Sequence, residues 1–182
     1  MKRSTWMLMI YAVTIVFFLG CNKENKVDPN EGELITTLKV SLVEQGSSTP
    51  QVFEFRDIDG PGGQPPSKFD SIIINANKTY NATIQFLNES VNPADDITLE
   101  VNAEAADHQV YYESSTTSLS VTNLNNDSNG LPLGISSTWT TSAAAKGTLR
   151  ITLKHKPGAK AAGDPVSKGE TDLEIGFGMR IL

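Results

Sequence analysis

The stretch Thr79-Tyr80-Asn81-Ala82-Thr83-Ile84-Gln85-Phe86-Leu87 places Tyr80, Ala82, Ile84 and Phe86 at every second position, with mostly polar residues between them. Side chains of an extended strand point alternately to opposite faces, so this stripe predicts a strand with one buried and one wetted face. The same period runs through most of the chain. Leu34, Thr36, Leu38, Val40 and Leu42 share a face, as do Phe53 and Phe55, and Ile72 and Ile74. Leu149, Ile151 and Leu153 alternate with Arg150 and Thr152, and Leu173, Ile175, Phe177, Met179 and Ile181 close the chain in the same way. Segments 97–101, 109–112, 118–122 and 135–140 read as further strands. The one helical candidate, 102–107, is too short to stand on its own.

Turn signals separate these runs, among them Asp59-Gly60-Pro61-Gly62-Gly63, Asn129-Gly130 and Lys156-Pro157-Gly158. Amphipathic strands with frequent turns predict an all-β protein, an antiparallel β-sandwich of immunoglobulin-like size with about 8–10 strands.

Composition narrows the function classes. The 182 residues include 15 Lys and Arg against 21 Asp and Glu, for a net charge of −6. That balance offers no broad basic surface, so no nucleic acid partner is expected. The single Cys excludes an internal disulfide and a four-cysteine zinc site. No phosphate loop, dinucleotide fingerprint, Gly-x-Ser-x-Gly elbow or His-Glu-x-x-His motif is present, so no enzyme is predicted.

The N-terminus reads as a targeting segment. Lys2 and Arg3 precede an apolar run of 14 residues, Trp6 to Leu19, and then Gly20-Cys21. Such a run rises about 21 Å as a helix, less than the roughly 30 Å of a bilayer core. A signal peptide over residues 1–20 fits better. The sole Cys stands where Phe18-Leu19-Gly20-Cys21 resembles the bacterial lipobox, with Phe18 where Leu is usual. The resemblance implies cleavage before Cys21, a diacylglycerol thioether on its sulfur and an acyl chain such as palmitate on the new amine. Two or three chains hold a protein at a membrane far more firmly than one. Residues 21–31 are polar and charged and read as a flexible tether, with the sandwich over 32–182. The mature chain keeps 13 basic and 21 acidic residues, for a net −8.

Three constellations could carry chemistry. His108 and His155, with Glu104 and Asp107 close in sequence to the first, offer imidazole and carboxylate donors for zinc or copper. The histidines are 47 residues apart, and spacing alone does not bring them together. Asp57 and Asp59 in one loop, and Asn125, Asp127 and Asn129 in another, echo the alternating oxygen ligands of a calcium loop. Pro61 interrupts the first, and Ser136 stands where the second would need its bidentate Glu. Both loops also read as ordinary turns. Tyr111, Tyr112 and Trp139 could stack on a sugar if they are exposed, although adjacent tyrosines on a strand face opposite ways.

Several segments resemble a family of small all-β lipoproteins from Gram-negative bacteria: Glu33–Thr37, Phe55–Gly60, Phe86–Ser90, Asp107–Tyr112, Gly147–His155 and Gly169–Asp172. The resemblance implies an outer-membrane lipoprotein of the kind found alongside TonB-dependent receptors. It transfers no activity. Members of the family carry more Asp in the two turn loops than Pro61, Asn125 and Asn129 allow here, while both histidines lie in matching segments.

The expectation is therefore a non-catalytic lipoprotein of the cell envelope, anchored at the outer membrane through Cys21, with the leaflet open. Its domain would be a ligand- or metal-binding accessory module of a receptor. The alternatives are a glycan-binding lipoprotein and a structural or adhesin-like surface module.

Overall fold

The computed structural model describes residues 34–60 and 62–182. The signal peptide, Cys21 and the tether lie outside the described residues. Among the described residues the elements are β1 (Thr37–Glu44), β2 (Pro50–Arg56), β3 (Lys68–Phe69), β4 (Ile72–Ile74), β5 (Thr79–Leu87), α1 (Ile97–Ala103), β6 (His108–Ser114), β7 (Leu119–Thr122), β8 (Ser136–Thr141), β9 (Ala145–His155) and β10 (Glu170–Ile181). No helix among them is long and apolar enough to cross a membrane.

The strands form two sheets, in the orders β3-β2-β1-β5-β8-β7 and β4-β10-β9-β6. All pairs are antiparallel except β4 with β10, where Ile72 to Ile74 run parallel to Met179 to Ile181. The alternating stripes close the core as expected. Leu38, Val40 and Leu42 from β1, Tyr80, Ile84 and Phe86 from β5, Leu149, Ile151 and Leu153 from β9 and Phe177 from β10 are all buried. Aromatic edges bridge the layers: Phe69 meets Phe177 with centroids 5.8 Å apart, and Tyr112 meets Trp139 at 5.9 Å, both near perpendicular. That geometry favours contact between the positive edge of one ring and the negative face of the other.

One predicted strand is a helix. Ile97, Leu99 and Val101 have strand spacing, yet Leu99 is 70% exposed while Ile97, Thr98 and Val101 are buried. Positions i, i+1 and i+4 share a helical face, and two side chains fix the choice. Asp96 caps the helix, its carboxylate accepting from the Thr98 amide at 3.1 Å. The Thr98 hydroxyl bonds both the amide and the carbonyl of Phe86, at 2.9 and 3.2 Å, and so docks α1 onto β5.

Candidate metal centre

The site lies where α1 hands the chain to β6. Helix α1 ends at Glu104, whose amide donates to the Glu100 carbonyl at 2.9 Å. The Glu104 carbonyl then accepts from the Asp107 amide at 2.9 Å and lies 3.2 Å from Nδ1 of His108. This turn brings Glu104, which stays exposed, over the first residue of β6.

His108 is paired with His155 in the antiparallel register of β6 and β9. Facing side chains of such a pair lie on one side of the sheet. Their rings stack with centroids 4.7 Å apart and 14° between planes. One donor atom from each of Glu104, His108 and His155 lies within 4.8 Å of the other two. His108 is 2% exposed, His155 is half-buried, and Glu104 is in solvent, so the donors run from core to surface.

β10 contributes a fourth group. Thr171 pairs with Lys154 and Leu173 with the adjacent Leu153, which leaves Asp172 as the extra residue of a β-bulge. Its side chain is 6% exposed, and its Oδ2 lies 3.8 Å from Nε2 of His108, too far for a hydrogen bond. That oxygen has no hydrogen-bond partner among the described residues. Burial raises the Asp172 carboxyl above its ordinary value, opposed by the positive field of the two histidines. Burial likewise lowers His108, opposed by its bond to the Glu104 carbonyl, so the ring favours the neutral form that ligates metals.

The other candidate residues are placed elsewhere. Asp107 is turned to the neighbouring loop: its carboxylate accepts from the Gly158 amide at 3.0 Å, and its carbonyl from the Lys156 amide at 2.6 Å. The second calcium-like loop is a closed turn. Asp127 accepts from the amides of Asn129 and Leu131 at 2.8 and 2.9 Å, and the Asn125 side chain accepts from Ser136 at 2.9 Å. The remaining Asp127 oxygen holds the Lys160 ammonium at 2.8 Å, both side chains being shielded from solvent. An internal ammonium thus stands where the spacing suggested calcium. In the first loop Asp59 accepts from the Gln64 amide at 2.7 Å, and that bond is the main cause lowering its carboxyl. Asp57 keeps a buried Oδ1 without a hydrogen-bond partner among the described residues.

The aromatic trio offers no shared exposed face. Trp139 is fully buried and donates its indole N–H to Ser137 at 2.9 Å. Tyr112 donates its hydroxyl to the Gly134 carbonyl at 2.6 Å, and burial raises that phenol well above its usual value. Tyr111 carries the Lys156 ammonium 4.6 Å from its ring centroid, and its hydroxyl donates to the Asp164 carbonyl at 2.9 Å. Burial pushes the Tyr111 phenol up to about 12.

Asp172 and the buried lysines escaped sequence reasoning. Alternation assigns Asp172 to the wet face, and the bulge that turns it inward has no sequence mark. Lys156 is fully buried, donates to Gln109 at 3.0 Å and to the Tyr111 hydroxyl, and lies 3.7 Å from Asp164. Lys160 bonds the Ala105 carbonyl at 2.7 Å as well as Asp127. Lys160 thus ties the 156–169 segment to the α1–β6 turn that carries Glu104, and Lys156 ties it to β6. No family model, no curated protein and no solved structure matches the chain.

Proposed function

We propose that the protein is a non-catalytic, lipid-anchored envelope lipoprotein whose β domain binds a divalent transition metal through Glu104, His108 and His155. In this reading it serves as an accessory module to an outer-membrane receptor. The registered His108–His155 pair beneath Glu104 carries the proposal. Two imidazoles and one carboxylate suit zinc or copper, whereas calcium requires a cage of oxygens.

The donors sit wider apart than a loaded site demands. Bonds of about 2.0 to 2.1 Å put tetrahedral donors on the order of 3.3 Å apart. Ring lone pairs lie in the ring planes, and rings 14° from parallel aim them side by side. Loading therefore requires His155, the less buried ring, to turn and Glu104 to close down. For Asp172 to orient the imidazole through Nε2, as an outer carboxylate commonly does, the metal would take Nδ1, which would have to leave the Glu104 carbonyl it faces in the metal-free domain.

Among the described residues the buried core cluster runs from Leu38 to Ile181, so residues 32–182 can be tested as a separate domain. Titration of this tag-free domain with zinc or copper should raise its unfolding temperature by mass action on the folded state. The rise should vanish in His108→Ala, His155→Ala protein. An unchanged melting temperature at saturating metal, or an equal rise in the double variant, would leave the structural or adhesin-like reading.

A further inference from the structure

Residues 156–169 form a strap from the end of β9 to the start of β10. Its apolar residues give it little hold: Pro157, Ala159, Ala161, Ala162 and Pro165 are exposed, and Val166 is half-buried. Both ends of the strap meet at His155. Lys156 follows that residue directly, and Gly169 closes on its backbone. The φ of Gly169 is +83°, and a Cβ there would fall 2.5 Å from the His155 carbonyl oxygen and 2.5 Å from Cγ of Lys156. Only glycine permits that approach.

The near half of the strap is tied to the turn that carries Glu104. The Asp107 carbonyl accepts from the Lys156 amide at 2.6 Å, the Asp107 carboxylate from the Gly158 amide at 3.0 Å, and the Ala105 carbonyl from the Lys160 ammonium at 2.7 Å. The far half is held largely by its own bonds. The Asp164 carboxylate accepts from the Ala161 amide at 2.8 Å, and the Pro165 carbonyl from the Lys168 amide at 3.0 Å. A segment fastened by polar ties over little apolar surface opens locally, below the free energy of global unfolding. Opening it frees residues 105–107, which set the place of Glu104, and uncovers the His155 backbone. A ligand shifts such an equilibrium by its difference in affinity for the two states. Here the closed state holds the three donors together.

We infer that the 156–169 strap is a metal-responsive element, held shut when a divalent transition metal joins Glu104, His108 and His155 and opening more often when the site is empty. The inference rests on the metal reading and adds to it a coupling between site and strap. Such coupling is reciprocal: loosening the strap weakens metal binding by the same factor by which metal closes the strap.

The test is residue-resolved hydrogen exchange on the 32–182 domain, with zinc and with chelator. Zinc should slow the Ala161 and Lys168 amides, whose acceptors lie inside the strap, by about fivefold or more. The Gln64 amide, which donates to Asp59 in the loop after β2, should exchange alike in both conditions. Lys160→Met combined with Asp127→Asn removes the strap's ammonium together with the carboxylate it would strand. That protein should exchange Ala161 and Lys168 faster than the parent and bind zinc about fivefold or more weakly. His155→Ala protein should show no slowing by zinc. A rise in melting temperature with zinc but no slowing of Ala161 and Lys168, or with equal slowing of Gln64, would overturn the strap inference and leave the metal reading standing. Parent-like exchange or parent-like zinc affinity in the double variant would overturn it as well. A melting temperature unmoved by zinc would remove the metal reading and the strap inference with it.

Discussion

His108 on β6 and His155 on β9 meet across an antiparallel pair with their rings stacked 4.7 Å apart. Forty-seven residues of sequence separate them, and the whole β7–β8 excursion into the other sheet lies between. The fully buried ring bears on stability and the half-buried ring is freer to turn. The two should therefore answer differently to substitution.

His108→Ala removes a ring that fills the end of the core. It should lower domain stability by about 1–3 kcal/mol in urea denaturation. His155→Ala should cost less than half as much. Both should abolish the metal-induced rise in melting temperature, so equal stability losses would argue against the asymmetric burial of the pair.

Asp172→Asn should raise the stability of the metal-free domain at pH 7 by about 1 kcal/mol, because it removes a buried charge that lacks a donor. The same change should weaken metal binding about tenfold or more by freeing the back of the His108 ring. Urea midpoints and metal titrations on the one variant test both signs. A variant less stable than the parent at every pH would show that the Asp172 carboxylate is well accommodated as it stands.

The pH dependence follows from the two opposed shifts. His108 holds its proton less tightly folded than unfolded, so below about pH 6.5 the unfolded chain binds more protons. Its contribution is complete above that pH and is lost as pH falls. Asp172 holds its proton more tightly folded than unfolded. Its contribution is complete below pH 3.8 and is lost as pH rises through its raised value. Between pH 7.5 and 5 the two terms oppose each other, so the test is the difference: urea midpoints should become less favourable on acidification in the parent relative to His108→Ala, which lacks the histidine term.

Lys160→Met removes the ammonium that ties the 156–169 segment to Asp127 and to the Ala105 carbonyl. Limited proteolysis should then cut this segment faster than in the parent, with the β-sheet cores still resistant. Unchanged cleavage would mean that the Lys156 contacts suffice to hold it.

Cys21→Ser should release the mature protein from the membrane fraction. The native product should carry the mass of a diacylglycerol and an amide-linked chain on its N-terminal residue. A bare thiol in that product would remove the envelope anchoring.

Strand identity was legible because each side chain in a half-buried strand reports its own face. Tyr80 to Phe86 and Leu149 to Leu153 show this plainly, and all of their inward members are buried. Strand order was not legible, because alternation says nothing about neighbours, and the parallel β4–β10 pair has no local signal. Segment 97–101 misled because Ile97, Leu99 and Val101 fit either period at that length. The cap at Asp96 and the docking of Thr98 decided for helix. In the site, Glu104, His108 and His155 were legible as donor types, and their meeting was not. Asp107, Asp127 and Trp139 were drawn by their chemistry into readings that take no account of the partners the fold gives them, Gly158, Lys160 and Ser137.

The bulge in β10 carries a genetic consequence. Thr171 and Leu173 pair with consecutive residues of β9, so loss of the single codon for residue 172 would restore an uninterrupted ladder. Every apolar side chain from Leu173 to Ile181 would keep its place. An acid could thus be gained or shed at this spot in one insertion or deletion event, with the hydrophobic interior undisturbed.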